Sequence, residues 1–134
     1  MATDGRLPDG CPPAGCEPPS GAFFRLAKPS AAIGAALERQ DWVLPLDTRT
    51  SDVYQKHDVC GAYAFSVFAD LGDLQRARES VPWTRKKSIV RVDLSPDMGR
   101  ALQTPSPLGE THHDWWPNDY ESLPPTEVIE GRVA

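Results

Sequence analysis

KSIVRVDL, Lys87 to Leu94, places Val90, Val92 and Leu94 on one side of an extended chain and Ile89 on the other. Alternation of this kind, in β-branched residues, marks a strand packed on both faces and so a central one. Working backward, Asp70 can cap a helix whose Leu71, Leu74, Ala77 or Arg78, and Val81 share a face before Pro82 ends it. Before that helix, GAYAFSVFAD, Gly61 to Asp70, alternates Tyr63, Phe65 and Val67 with Ala62, Ala64, Ser66 and Phe68. The small residues predict a strand with one closely packed face.

Further toward the N-terminus, Ala22 to Leu26, AFFRL, reads as a short strand between Gly21 and Pro29. Ser30 can cap a first helix in which Ala32, Ile33, Ala36 and Leu37 recur at helical spacing as far as Arg39. Asp41 to Leu46 reads as a second short strand confined to an edge or an end by Pro45. Asp47 to Asp58 is polar and aperiodic and reads as a loop. On the C-terminal side, Pro96 to Pro107 reads as loop with a helical turn around Met98 to Leu102, and Thr126 to Val133 as a last strand. The fold class is α+β: a small twisted, mostly antiparallel sheet of four to six strands with two helices and a loop-rich C-terminal third. Residues 1–20, with five prolines and few large apolar side chains, form a leader or wrapping arm; residues 21–134 form one domain.

Composition narrows the function. Fourteen basic residues against nineteen acidic ones give a net charge of -5, which repels a phosphate backbone and disfavours nucleic-acid partners. The dense basic cluster Arg85, Lys86 and Lys87 reads as a solvated strand edge. No apolar stretch is long enough to cross a bilayer and no secretory pattern opens the chain, so the expected setting is cytoplasmic, with no membrane partner. Three cysteines, an odd number, point the same way, toward reduced thiols.

Chemistry concentrates in GETHHDWWPNDYE, Gly109 to Glu121, read as an irregular stretch. There His112, His113, Asp114, Trp115, Trp116 and Tyr120 put titratable groups beside aromatic area, the makings of a ligand-binding loop. The alternative is structural: Trp115 and Trp116 roof the core and a histidine donates to a carbonyl. Cys11 and Cys16, His57 and Cys60, and the histidine pair offer zinc ligands from three places, but without a specific spacing. Cys60 or Ser66 could act as a nucleophile with a histidine base, which needs both side chains within hydrogen-bond reach; neither lies in a glycine-framed elbow.

Two resemblances add to this. Cys11-Pro12 in the leader, FFRL at Phe23 to Leu26, AFSVF at Ala64 to Phe68 and THHDWWP at Thr111 to Pro117 together resemble a family of small uncharacterised bacterial proteins with a His-His-x-Trp-Trp-Pro motif. Arg25, Ser66 and Glu121, spaced along FFRL, AFSVF and YESLPPTEVIEG, resemble the arginine, serine and glutamate of the ADP-ribosyltransferase fold. That resemblance implies NAD as cofactor, held by Arg25 and Ser66, with Glu121 orienting the acceptor. The leading expectation is a binding or accessory domain for a protein or a small molecule, and the enzyme using NAD is the competing one.

Overall fold

The computed structural model describes residues 7–29, 32–44, 59–106 and 109–131. Among the described residues six strands form a single sheet: β1 (Gly21–Ala27), β2 (Phe65–Phe68), β3 (Ser88–Leu94), β4 (Arg100–Gln103), β5 (His112–Trp116) and β6 (Thr126–Glu130). Their order is β4-β5-β2-β1-β3-β6, and every pairing is antiparallel. One α-helix is found among the described residues, α1 (Leu71–Ser80).

The alternation read in KSIVRVDL becomes the two faces of this sheet. Val90, Val92 and Leu94 of β3 join Phe23, Phe65, Val67 and Trp115 in the larger core, closed over by Trp42, Leu44 and Tyr120. Ile89 turns the other way, where Phe68 and the partly buried Phe24, Leu26 and Ile129 meet Leu74 and Ala77 of α1. Asp70 caps α1 by accepting from the Gly72 N–H, as its position predicts. Arg78 is buried with Ala77 and ties the helix to the far edge of the sheet, through a 2.8 Å ion pair to Glu130 and a 2.8 Å bond to the Gly131 carbonyl.

Four expectations are corrected. The described part of the first predicted helix, Ala32 to Arg39, is extended chain and turn, followed by a single 3-10 turn at Arg39–Asp41. Its helical spacing is not used: Ile33 is 65% exposed, while Ala35 and Leu37, two residues apart on an extended chain, pack against the larger core. The edge of β6 offers main-chain partners instead, since Gly34 N–H donates to Val128 O and Val128 N–H to Ala35 O, both at 2.8 Å. Residues 42–44 form no strand, yet Trp42 and Leu44 are core residues. Pro45 to Asp58, with His57 and the predicted loop, lies outside the described residues, as does Ser30.

The loop-rich C-terminal third contains two strands that were read as loop. Pro96 to Met98 is a 3-10 turn leading into β4, and the irregular stretch around the histidines is β5. Gly99 makes this turn feasible: its φ is +125°, and a Cβ there would sit 2.1 Å from the Trp116 carbonyl oxygen.

The cysteines are corrected as well. Cys11 and Cys60 are joined by a disulfide, and Cys16 is the free one. The leader is therefore bound down, and it is bound twice, because Glu17 exchanges main-chain hydrogen bonds of 2.9 and 2.8 Å with Ala101 on the outer edge of β4. No helix among the described residues is long and apolar enough to cross a membrane.

Candidate functional site

Side chains alternate across a strand, so the paired histidines are separated by their own backbone. In β5, His113 and Trp115 face the larger core, while His112 faces the side covered by α1. β2 pairs with β5 in the register Ser66↔Asp114 and Phe68↔His112, which sets Ser66 diagonal to His112 on that side. The Ser66 hydroxyl is 2.8 Å from His112 Nε2. On the other side of the ring, Nδ1 lies 2.8 Å from Thr104 Oγ1 and 3.1 Å from the Thr104 carbonyl oxygen.

The Thr104 carbonyl oxygen can only accept, which favours the tautomer that carries its proton on Nδ1 and turns the Nε2 lone pair to the Ser66 hydroxyl. Burial holds the His112 imidazole below its ordinary value; the Thr104 carbonyl opposes this and nearby His113 adds to it. The ring is thus kept neutral.

A clamp just ahead of His112 fixes where β5 begins. Asp73, in the first turn of α1, accepts from both the N–H (3.1 Å) and the hydroxyl (2.7 Å) of Thr111. The Thr111 hydroxyl in turn accepts from the Asp70 N–H at 3.1 Å. Hydrogen bonds to Thr111, above all that of its hydroxyl, hold the Asp73 carboxyl below the usual carboxylate range.

Beside Ser66 and His112 opens a cavity of about 220 Å³ between the sheet and α1. Its walls are mainly apolar, with Leu26 and Phe68 from the sheet, Leu74 and Ala77 from α1, and Val81 and Trp83 from the chain that follows; Arg25 and Thr84 border it too. Trp83 is 69% exposed at this cavity. Beside this cavity the ladder between β1 and β2 contains one registered pair, Phe24↔Phe68, whereas β1 pairs with β3 over its whole length. Beyond that pair, Leu26 and Ser66, which both border the cavity, are not matched in register.

His113 borders a different cavity, of about 290 Å³, on the opposite face, where residues 15–20 of the leader pass over Phe23, Ala101 and Gln103. Its Nδ1 is 2.7 Å from the Thr111 carbonyl oxygen and its ring meets Phe23 edge-on. Two histidines adjacent in sequence therefore serve two surfaces.

The remaining residues of the stretch are placed otherwise than as a presented loop. Trp115 and Trp116 are buried, their indole N–H groups donating to Met98 O (3.0 Å) and Cys60 O (2.8 Å). Tyr120 is buried too, with its hydroxyl donating to Tyr63 O, and burial raises its pKa. All three are framework. Asp114 is half-buried opposite Ser66.

Of Arg25, Ser66 and Glu121, the first two border one cavity and Glu121 does not. Arg25 is on the face of Trp42 and Phe65, its guanidinium carbon 4.8 and 5.1 Å from their ring centres. Among the described residues its Nε and Nη1 are buried without a hydrogen-bond partner, and burial draws its pKa down to about 10. Ser66 is on the opposite face. Glu121 is exposed in the turn after β5, its N–H donating to Asp119 Oδ1 at 2.8 Å, and it does not border the cavity beside Ser66.

The zinc reading loses Cys11 and Cys60 to their disulfide, and the histidine pair points to opposite faces. Among the described residues no group of three or more His, Cys, Asp or Glu side chains could hold a metal. Cys16 is half-buried and its thiol pKa is pushed up, first by burial; Arg100 opposes this and Asp114 adds to it.

Thr104, Trp83, Leu74 and Ala77 are part of the site and were not read as such. For Leu74 and Ala77 the signal was present, since both lie on the predicted inner face of the helix. Thr104 had none, because its segment reads as loop. Set against protein-family models, curated proteins and solved structures, the chain finds no match in any of the three.

Proposed function

We propose that this protein is a binding domain for a small, largely apolar molecule with one hydrogen-bonding head group, seated between α1 and the sheet. The observation that carries this reading is the Ser66–His112 pair at the wall of a mainly apolar cavity that Arg25 and Thr84 also border. Ligand sites combine apolar walls with a few placed polar groups, and drug-sized ligands occupy roughly 300–1,000 Å³. A cavity of about 150 Å³ already holds benzene, so the 220 Å³ space suits a single ring or a short acyl chain. Trp83 supplies a rigid aromatic side chain at the cavity, the kind of surface that carries binding energy at low entropic cost.

Titration with benzamide and with benzyl alcohol, followed by NMR, tests this. Saturable shifts of the Leu74, Ala77 and Phe68 signals are expected, and Ala77→Leu, which fills the space, should abolish them. If neither probe gives a saturable shift at these residues up to its solubility limit, the reading is wrong.

A further inference from the structure

We propose that Ser66 is a nucleophile activated by His112, and that it takes the acyl group from small aryl esters bound in the cavity beneath α1. This rests on the cavity being the ligand site and adds a reaction to it.

The argument is geometric. A serine hydroxyl is a weak nucleophile unless a base within about 2.6–3.2 Å takes its proton, and a third group must hold that base in the correct tautomer. Here the base is 2.8 Å away, and the Thr104 carbonyl favours the proton on Nδ1, with Nε2 open toward Ser66. The Thr104 hydroxyl, 2.8 Å from Nδ1, holds the ring from the same side. The Asp73–Thr111 clamp fixes the residue before the histidine. Ser66 is exposed and borders the cavity, so a carbonyl carbon seated there can reach its oxygen. A hydroxyl whose role was only to join two strands would need neither the orienting group nor the cavity.

The reaction balances with the groups present and water. The Ser66 proton passes to His112 Nε2 as Oγ bonds to the acyl carbon. The bond from that carbon to the phenol oxygen breaks, and the phenolate takes the proton from Nε2. The products are acyl-Ser66, a phenol and neutral His112. Water then gives a proton to Nε2 and its oxygen to the acyl carbon, and Ser66 recovers its proton as the carboxylic acid leaves.

The substrate class follows from what surrounds Ser66. It lies within a strand and not in a sharp turn at a helix start, so no preformed pair of N–H groups from such a turn awaits the oxyanion. That contribution is worth roughly 10²–10³ in rate, and its lack restricts the reaction to esters with good leaving groups. Amides should not react.

Incubation of the full chain with 4-nitrophenyl acetate, with release of 4-nitrophenolate and peptide mass mapping in parallel, provides the test. A release burst stoichiometric with protein and an acetyl group on the peptide containing Ser66 are expected. Ser66→Ala should lose both. His112→Gln should slow the burst by roughly 10²–10⁴, the usual contribution of a general base, and the wild-type burst rate should rise with pH as one imidazole deprotonates. Acetyl groups found only on lysines, or a burst unchanged in H112Q, would overturn the proposal. Benzamide binding, measured on the same sample, separates the two readings. Binding without Ser66 acetylation rejects the nucleophile alone, whereas acetylation without benzamide binding rejects the ligand reading alone.

Discussion

His112 and His113 are consecutive residues of β5 whose rings face opposite sides of the sheet, one toward Phe68 and α1, the other toward Phe23 and the leader. A change at one should leave the other surface intact, so each histidine can be examined separately.

The His112 ring is expected to make stability depend on pH. Its folded-state pKa lies below its ordinary value of 6.5, first because of burial, so the unfolded chain binds the proton more readily. Stability should therefore fall as pH drops from the ordinary value toward the lowered one, and the loss should level off once both states are protonated. Urea midpoints measured across this range for the wild type and for His112→Gln will show the effect, with the substitution flattening the dependence.

Gly99→Ala should be among the most damaging small changes in the chain. The added methyl would meet the Trp116 carbonyl oxygen at 2.1 Å, in a backbone conformation that L residues rarely adopt. A loss of about 2–4 kcal/mol is expected, because strain at a special φ adds to a steric clash. Chemical denaturation of the purified variant measures it.

Two tryptophans should respond in opposite ways. Trp115 is wholly buried against Trp42 and Phe65, and Trp115→Ala should cost about 3–5 kcal/mol. Trp83 is mostly exposed, and Trp83→Ala should change stability by no more than about 0.5 kcal/mol while weakening benzamide binding. Denaturant midpoints and ligand titrations of both variants provide the comparison.

Reduction of Cys11–Cys60 should lower stability and loosen the leader together. The bridge spans 49 residues of sequence, and closing a loop of that size is worth about 4 kcal/mol in the chain-entropy account. Hydrogen exchange at Glu17 and Ala101, whose mutual hydrogen bonds hold the leader on β4, should quicken on adding reductant. Unchanged exchange there would show that the strand pairing alone suffices.

Where local pattern and burial agree, the sequence was legible. Val90, Val92 and Leu94 against Ile89 announced a strand buried on both faces, Asp70 announced the start of α1, and Leu74 and Ala77 its inner face. These signals are local, since a two-residue or near-four-residue period needs only the chain itself and a core to face. The spacing around Ile33 misled for the same reason: periodicity says which residues could share a face, not whether a partner surface is there. Main-chain bonds offered by β6 prevailed instead. Likewise, β4 and β5 are strands of four and five residues, and a pattern that short, interrupted by His112 and Asp114, resembles a loop until its neighbours supply the ladder.

By itself, the sequence determined an α+β arrangement, an interior strand buried on both faces, one helix and the segment in which the chemistry gathers. Which of that segment's residues face a cavity was decided by tertiary structure alone. Register against β2 brings Ser66 to His112 across 46 residues of chain. The space beside them lies next to the one-pair ladder of β1 with β2, and the alternation of β5 sends His113 elsewhere. Such pairings are long-range, and no local preference specifies which strand lies beside which. They arise only when burial of the whole sheet selects one register from the many that the separate strands would allow.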